Sequence, residues 1–224
     1  MACAVVLRAA SSAVARWLAA AGCAVLALPA PAGEDSPAAA LVGRLAMPAP
    51  AITRFVEVRY SALLTRPLST SGELEYRGSR SLHKRILVPY REQQVIDGDQ
   101  VSVEREGEKP RRFSLRNTPE LKGILDSLGS LLAGDLASLE RSFTVTLEDT
   151  AAGWMLRLVP RNVRARQQLR EILVTGRADQ ADCFVTREPD GDASFMLLGA
   201  ASQAPLPDPP ARAWVQEHCR VPSG

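Results

Sequence analysis

Histidine, aromatic residues and surplus charge are all scarce in this chain, and each scarcity removes a class of function. His83 and His218 are the only histidines, and no G-x-S-x-G elbow accompanies them. A nucleophile–base pair or a histidine-rich metal centre has little to be built from. Aromatic residues make up 5% of the chain, too few for the stacking platforms that hold single-stranded nucleic acid. The net charge is +2 over 224 residues, so no basic excess points to a polyanion. Walker and dinucleotide glycine patterns are absent. Asp97/Asp99 and Asp190/Asp192 each flank a glycine, but the rest of a calcium loop is missing and turn chemistry accounts for them. The sequence therefore predicts no catalytic residue, no metal and no cofactor. What it does hold is 46% hydrophobic and 23% charged residues, the balance of a globular domain.

The first 32 residues read as an address. They contain no acidic residue; Arg8 and Arg16 precede an apolar run from Trp17 to Leu28, and Ala30 and Ala32 form an A-x-A exit. These are the parts of a secretory signal peptide, and the run is short for a membrane span, which needs about 20 apolar residues. Cleavage near Ala32 and an exported protein are expected. A rival is AAGC ending at Cys23 as a lipobox, but Ala20 stands where leucine is usual and apolar residues follow the cysteine. Removing residues 1–32 leaves basic and acidic groups in equal number. They are unevenly spread: residues 77–122 hold 11 basic and 7 acidic groups, which is either solvated surface or a mildly basic face.

Cys183 and Cys219 then remain. In an oxidising compartment they favour a disulfide that ties the C-terminal tail to a strand; the alternative is two buried thiols. Neither has a companion at zinc spacing.

Along the mature chain, Ala38–Met47 reads as a short helix stopped by Pro48 and Pro50. From Ile52 the period becomes two, with Val56, Val58, Tyr60 and Leu64 on one parity and Phe55 breaking the pattern on the polar side. Strands follow near Gly72, over 82–89, over 91–96, after the Asp97-Gly98 turn and over 111–116. Thr118 and Pro119 open a helix to about Ala133, with Leu121, Ile124, Leu125 and Leu128 at helical spacing. Asp135 caps a continuation through Glu140. Of the later strands, one carries Phe143, Val145 and Leu147 on one of its faces, the next carries Trp154, Leu156 and Leu158 on one of its faces, and three more close the set. The result is an α+β chain with about ten mostly antiparallel strands. A helix of roughly 16 residues spans only about 24 Å. Strands about 4.8 Å apart make a far wider sheet, which must curl into a trough with the helix as lid. Such a trough is either an apolar cavity or a filled core.

The segments GELEY and LHKRILVPYREQQVIDGDQVSVE, followed by LASLERSFTVTLED, GWMLRLVPR, LREILVTG and EPDGDASFMLL, resemble the LolA family over roughly residues 38–200. The resemblance implies an incomplete antiparallel β-barrel closed by helices, spanning residues 33–202, with 203–224 as a proline-rich tail bearing a short helix. It implies a periplasmic carrier that shelters the acyl chains of a lipoprotein or glycolipid. An inner-membrane donor would hand over the cargo and an outer-membrane acceptor would receive it, the carrier acting as a monomer. The cavity would be lined by Val58, Tyr60, Leu74, Leu121, Ile124, Leu125, Leu128, Phe143, Val145, Leu147, Trp154, Leu156 and Leu158. The family's lid-control Arg-Pro pair is missing from YRGSRSLHK, which leaves Arg77 and Arg80 as candidates for that arginine. With the tail, this departure points to a LolA-related branch. The competing reading is a non-catalytic interaction module with a filled core. A lipid-modifying enzyme is disfavoured by the poverty of acid–base residues.

Overall fold

The computed structural model describes residues 36–224 apart from Ser79, Ala151 and Gly224. The expected signal peptide, its cleavage near Ala32, and Cys23 lie outside the described residues.

Ser36 opens the first helix, α1 (Pro37–Arg44), its side chain accepting the Ala39 N–H at 3.1 Å. Six strands follow: β1 (Ala51–Tyr60), β2 (Leu68–Gly78), β3 (Ser81–Val88), β4 (Glu92–Asp97), β5 (Gln100–Arg105) and β6 (Arg111–Ser114). Two helices come next, α2 (Pro119–Leu132) and α3 (Leu136–Ser142), the latter capped by Asp135 accepting from Ser138 at 2.9 Å. The chain ends with β7 (Phe143–Thr150), β8 (Gly153–Pro160), the single turn α4 (Val163–Arg166), β9 (Glu171–Arg177), β10 (Gln180–Arg187), β11 (Ala193–Leu198) and α5 (Arg212–His218).

The eleven strands among the described residues form one sheet in the order β6-β5-β4-β3-β2-β1-β11-β10-β9-β8-β7. Every pairing is antiparallel, and β6 and β7 remain separate ends, so the curled sheet is an unclosed barrel. The pairing of β1 with β11 sets Phe55 opposite Leu198 and joins the two halves of the chain.

Helices cover one face. Leu41, Val42, Leu131 and Leu139 pack there on Phe143, Leu156, Leu158, Ile172 and Val174. The C-terminal tail covers the other face, where Val215, Cys219 and Val221 pack on Val58, Leu173, Val185, Phe195 and Leu197. Each fully buried side chain of this size stabilises by about 1.5–3 kcal/mol. Residues 203–224 thus complete a second apolar layer, and the Cys183–Cys219 disulfide fastens them with a Cα–Cα distance of 5.5 Å. Arg220 adds an ion pair to Asp182, and Thr175 donates to the Cys219 carbonyl at 2.8 Å.

The strand expected near Gly72 starts earlier. Strand β2 begins at Leu68 because Ser69, Thr70 and Ser71 pair with Val58, Glu57 and Val56. Backbone ladders need no apolar side chains, so a polar stretch can open the strand. Within the charged segment 161–168, Val163–Arg166 form α4, with Asn162 accepting the Arg164 N–H at 2.8 Å.

Candidate functional site

Helix α2 crosses the open part of the sheet, and two cavities lie beneath it. One, of about 410 Å³, is walled by Ile124, Leu125 and Leu128 of the helix and by Leu82, Ile86, Phe184 and Met196 of the sheet. The second, of about 480 Å³, lies among Leu45, Met47, Tyr76, Leu131, Leu132 and Ala181. Leu74, Leu128 and Leu198 line both, so they form a divide between two compartments of one trough. Volumes of this order suit a small amphiphile or part of a larger one.

Most of this lining is apolar, but both compartments carry charge: Arg44, Asp179 and Asp182 in the larger, and Glu57, Arg59 and Lys84 in the smaller. Lys84 donates to the Glu57 carboxylate and lies 5.0 Å from the centre of the Phe55 ring. Ser194 donates to the other Glu57 oxygen at 2.6 Å. Burial pushes the Glu57 carboxyl up, but attraction and hydrogen bonding from Lys84, the Ser194 bond and Arg59 together outweigh it and hold the group below its ordinary value. Glu57 is therefore ionised at neutral pH.

The lid helix is held at both ends. The Met47 N–H donates to the Leu132 carbonyl at 2.8 Å. At the other end Asp99, in the β4–β5 turn, accepts from Arg116 at 3.1 Å and Arg80 at 3.3 Å, and Lys122 of α2 lies 3.4 Å away. Hydrogen bonding from Arg116 lowers the Asp99 carboxyl; burial opposes it, and Lys122 adds to the lowering. Arg80 thus stands at the lid's clasp. Arg77 pairs instead with Glu75 at 2.8 Å along the strand.

Of the residues expected to line the cavity, those with described side chains divide into three sets. Leu74, Ile124, Leu125 and Leu128 do line it. Phe143, Val145, Leu147, Trp154, Leu156 and Leu158 share the helix-covered face but belong to a filled core under α1 and α3. Trp154 is further fixed by its Nε1–H bond to the Ala178 carbonyl at 3.0 Å. Val58 and Tyr60 lie on the opposite face, and their assignment to the cavity is corrected. Val58 is fully buried under the tail, while Tyr60 donates to the Pro210 carbonyl at 3.0 Å and meets Phe195 edge-on. The reason is parity: in β1 the residues Phe55 and Glu57 turn toward the trough, so the apolar parity belongs to the tail-covered layer. Burial there pushes the Tyr60 hydroxyl up to about 12 against the pull of Arg212. Leu121 belongs to α2, and its side chain is outside the description.

Sequence reasoning missed Glu57, Lys84, Ile86, Phe184, Met196 and Leu198. No local pattern finds Glu57 and Lys84, whose pairing joins residues 27 apart in sequence. Met196 and Leu198 were hidden because β11 is apolar on both faces. His83 lies 3.9 Å from Glu75, and His218 stacks on Trp214; neither reaches the trough lining. Glu188, Asp190 and Asp192 bring carboxylates within 4.8 Å of one another, but Asp192 already accepts the Ala62 N–H at 3.0 Å. The trough is thus equipped to enclose an apolar chain beside an ion pair.

Among solved structures, a LolA superfamily protein from Nitrosomonas europaea is similar at 12% identity and a TM-score of 0.41, covering 76% of this chain and 94% of that one. An outer membrane lipoprotein-sorting protein domain from Vibrio parahaemolyticus is similar at 11% identity and a TM-score of 0.38, covering 66% and 82%. The MucA/MucB complex of Pseudomonas aeruginosa contains a chain similar at 13% identity and a TM-score of 0.36, covering 84% and 64%. A search of curated protein sequences returned no match. Residues 30–219 match the family described as outer membrane lipoprotein carrier protein LolA-like, and with most of its length inside that match the chain belongs to this family.

Proposed function

We propose that this protein is a periplasmic carrier that encloses acyl chains of a lipidated product and escorts them toward the outer membrane. The observation that supports it most directly is the two-compartment apolar trough beneath α2. Each CH₂ removed from water contributes about 0.8 kcal/mol, so lipid tails do not cross an aqueous gap unaided at useful rates. Enclosure under a helix fastened by a charge cluster meets that need and allows release when the cluster opens. The cargo is an acylated lipoprotein or a glycolipid, received from an inner-membrane donor and passed to an outer-membrane acceptor. Binding, with no covalent step, is the whole activity in this reading. Export through a cleaved leader supplies the compartment.

A second reading is an interaction module without cargo, accessory to an inner-membrane lipid exporter. It is favoured by the packed end of the helix-covered face, where Leu156, Leu158 and Leu139 are wholly enclosed. Native mass spectrometry of protein purified gently from a periplasmic extract separates the two. A stoichiometric acylated ligand supports the carrier. A clean apo mass that persists after incubation with lipoproteins and membrane lipids supports the module and overturns the carrier.

A further inference from the structure

The trough is polar at one end, and the strand register shows how the change is made. Arg59 pairs with Ser194, and Ser194 with Thr186, which gives a polar row across β1, β11 and β10. The next row toward the divide holds Thr70, Glu57, Met196 and Phe184. The one after that holds Phe55 and Leu198. Two residues per step is about 7 Å along a strand, so the lining passes from ionic to hydrocarbon within a short distance.

An ion pair so placed is costly to enclose, because desolvation offsets its attraction. The Glu57 and Lys84 side chains are only 20% and 16% exposed. Among the described residues Glu57 is the hydrogen-bond acceptor for Lys84, which leaves further N–H donors on an ammonium that has three. A cargo of bare hydrocarbon would cover those donors and leave them unmet. The charged side chains lining this compartment are Arg59, Lys84 and Glu57, which leaves one positive charge unbalanced. Arg59 reaches Glu188 only at 3.5 Å on the exposed rim, a weak claim on its guanidinium.

We infer that this compartment holds the head of a monoanionic amphiphile, with its oxygen atoms accepting from Lys84 and Arg59 and its tail running to the Leu74–Leu128–Leu198 divide. The inference rests on the carrier reading above and names its ligand class. One negative charge with oxygen acceptors is common to a phosphodiester lipid and a fatty carboxylate.

The test titrates delipidated mature protein with palmitoyl lysophosphatidylglycerol, palmitate and monopalmitoylglycerol, each displacing a fluorescent apolar probe. At least one anionic ligand is expected to displace the probe at concentrations about tenfold lower than the uncharged one. Whichever does so tells phosphate from carboxylate. Lys84→Met is expected to bring the two classes within about twofold, and Lys84→Arg to keep the preference. Because Lys84→Met strands Glu57 and Arg59 still carries a positive charge, the triple variant Glu57→Gln with Arg59→Gln and Lys84→Met is measured beside it and is expected to lose the preference as well. Equal affinity for all three ligands in the wild type, or a preference that survives the triple variant, overturns the head site and leaves the carrier standing. Displacement by none of the three overturns both.

Discussion

Lys122 of the lid helix lies 3.4 Å from Asp99 in the β4–β5 turn, and this contact joins the lid to the sheet through charge. Arg116 and Arg80 converge on the same carboxylate, and the Leu115 N–H donates to the Asp99 carbonyl at 2.8 Å. The opposite end of the helix is held by the backbone bond from Met47 to Leu132. One end of the lid is therefore sensitive to protonation and the other is not.

Asp99→Asn is expected to speed amide hydrogen exchange in α2 while leaving β8, β9 and β10 unchanged. The pH dependence has a definite sign. The folded Asp99 carboxyl lies below its ordinary value of 3.8, because Arg116 and Lys122 stabilise the carboxylate more than burial opposes it. Its contribution is therefore complete above 3.8 and is lost as pH falls through the lower folded value. Retention of an apolar probe is expected to be flat from about pH 7 to 5 and to fall below about pH 4, and Asp99→Asn is expected to reduce that fall, with Glu57 keeping its own share. A variant with wild-type exchange in α2 would show that the cluster does not hold the lid.

The two faces of β1 make opposite predictions. Val58 is wholly enclosed beneath the tail, so Val58→Ala is expected to cost about 1–3 kcal/mol in urea unfolding. The trough lies on the other face, so probe affinity in native buffer is expected to stay within about twofold. Leu128 stands on the divide, and Leu128→Asp is expected to reduce probe affinity by tenfold or more by placing a carboxylate between the compartments. If Val58→Ala loses the probe and Leu128→Asp keeps it, the assignment of the two faces is inverted.

The contrast between Val58 and Leu128 also explains what the sequence could and could not say. Leu128 was legible because α2 has one apolar stripe, and the trough is what that stripe faces. Asp135 and the Asp97-Gly98 turn were legible because caps and turns are local chemistry. Val58 was misassigned because hydrophobic alternation says only that a face is covered. It does not say by which layer, and here the tail covers one face and the lid helices the other. Phe143 and Leu156 were placed on the correct face, yet only packing distinguishes a filled end from an open one. Glu57 was not legible because its partners, Lys84 and Ser194, are 27 and 137 residues away in sequence.

The disulfide supplies a stability test that leaves the trough intact. Cys183 and Cys219 enclose a loop with a sequence separation of 36, and loss of the bridge is expected to cost about 3–4 kcal/mol on the chain-entropy estimate. Cys219→Ser, or reductant on the wild type, is expected to lower the urea midpoint by the corresponding amount. Reductant is expected to do nothing further to Cys219→Ser. Equal midpoints for oxidised and reduced wild type would mean that Val215, Val221 and the Arg220–Asp182 pair hold the tail without the bridge.

Gly176 tests the packing of the closed end. A Cβ built there would lie 2.3 Å from Trp154 Cζ2 and 2.1 Å from the Gln180 carbonyl oxygen. The indole cannot withdraw freely, because its Nε1–H is bonded to the Ala178 carbonyl at 3.0 Å and its ring belongs to the buried cluster. Gly176→Ala is therefore expected to destabilise by about 1–3 kcal/mol, the usual cost of overpacking. Trp154→Phe removes the ring edge that the new methyl meets, although the Gln180 carbonyl remains in the way. The double variant Gly176→Ala with Trp154→Phe is therefore expected to cost less than the two single changes added together, and a double-mutant cycle measures the difference. Strict additivity would mean that the strain falls on the Gln180 backbone, and that Gly176 is required by the β9–β10 turn more than by the tryptophan.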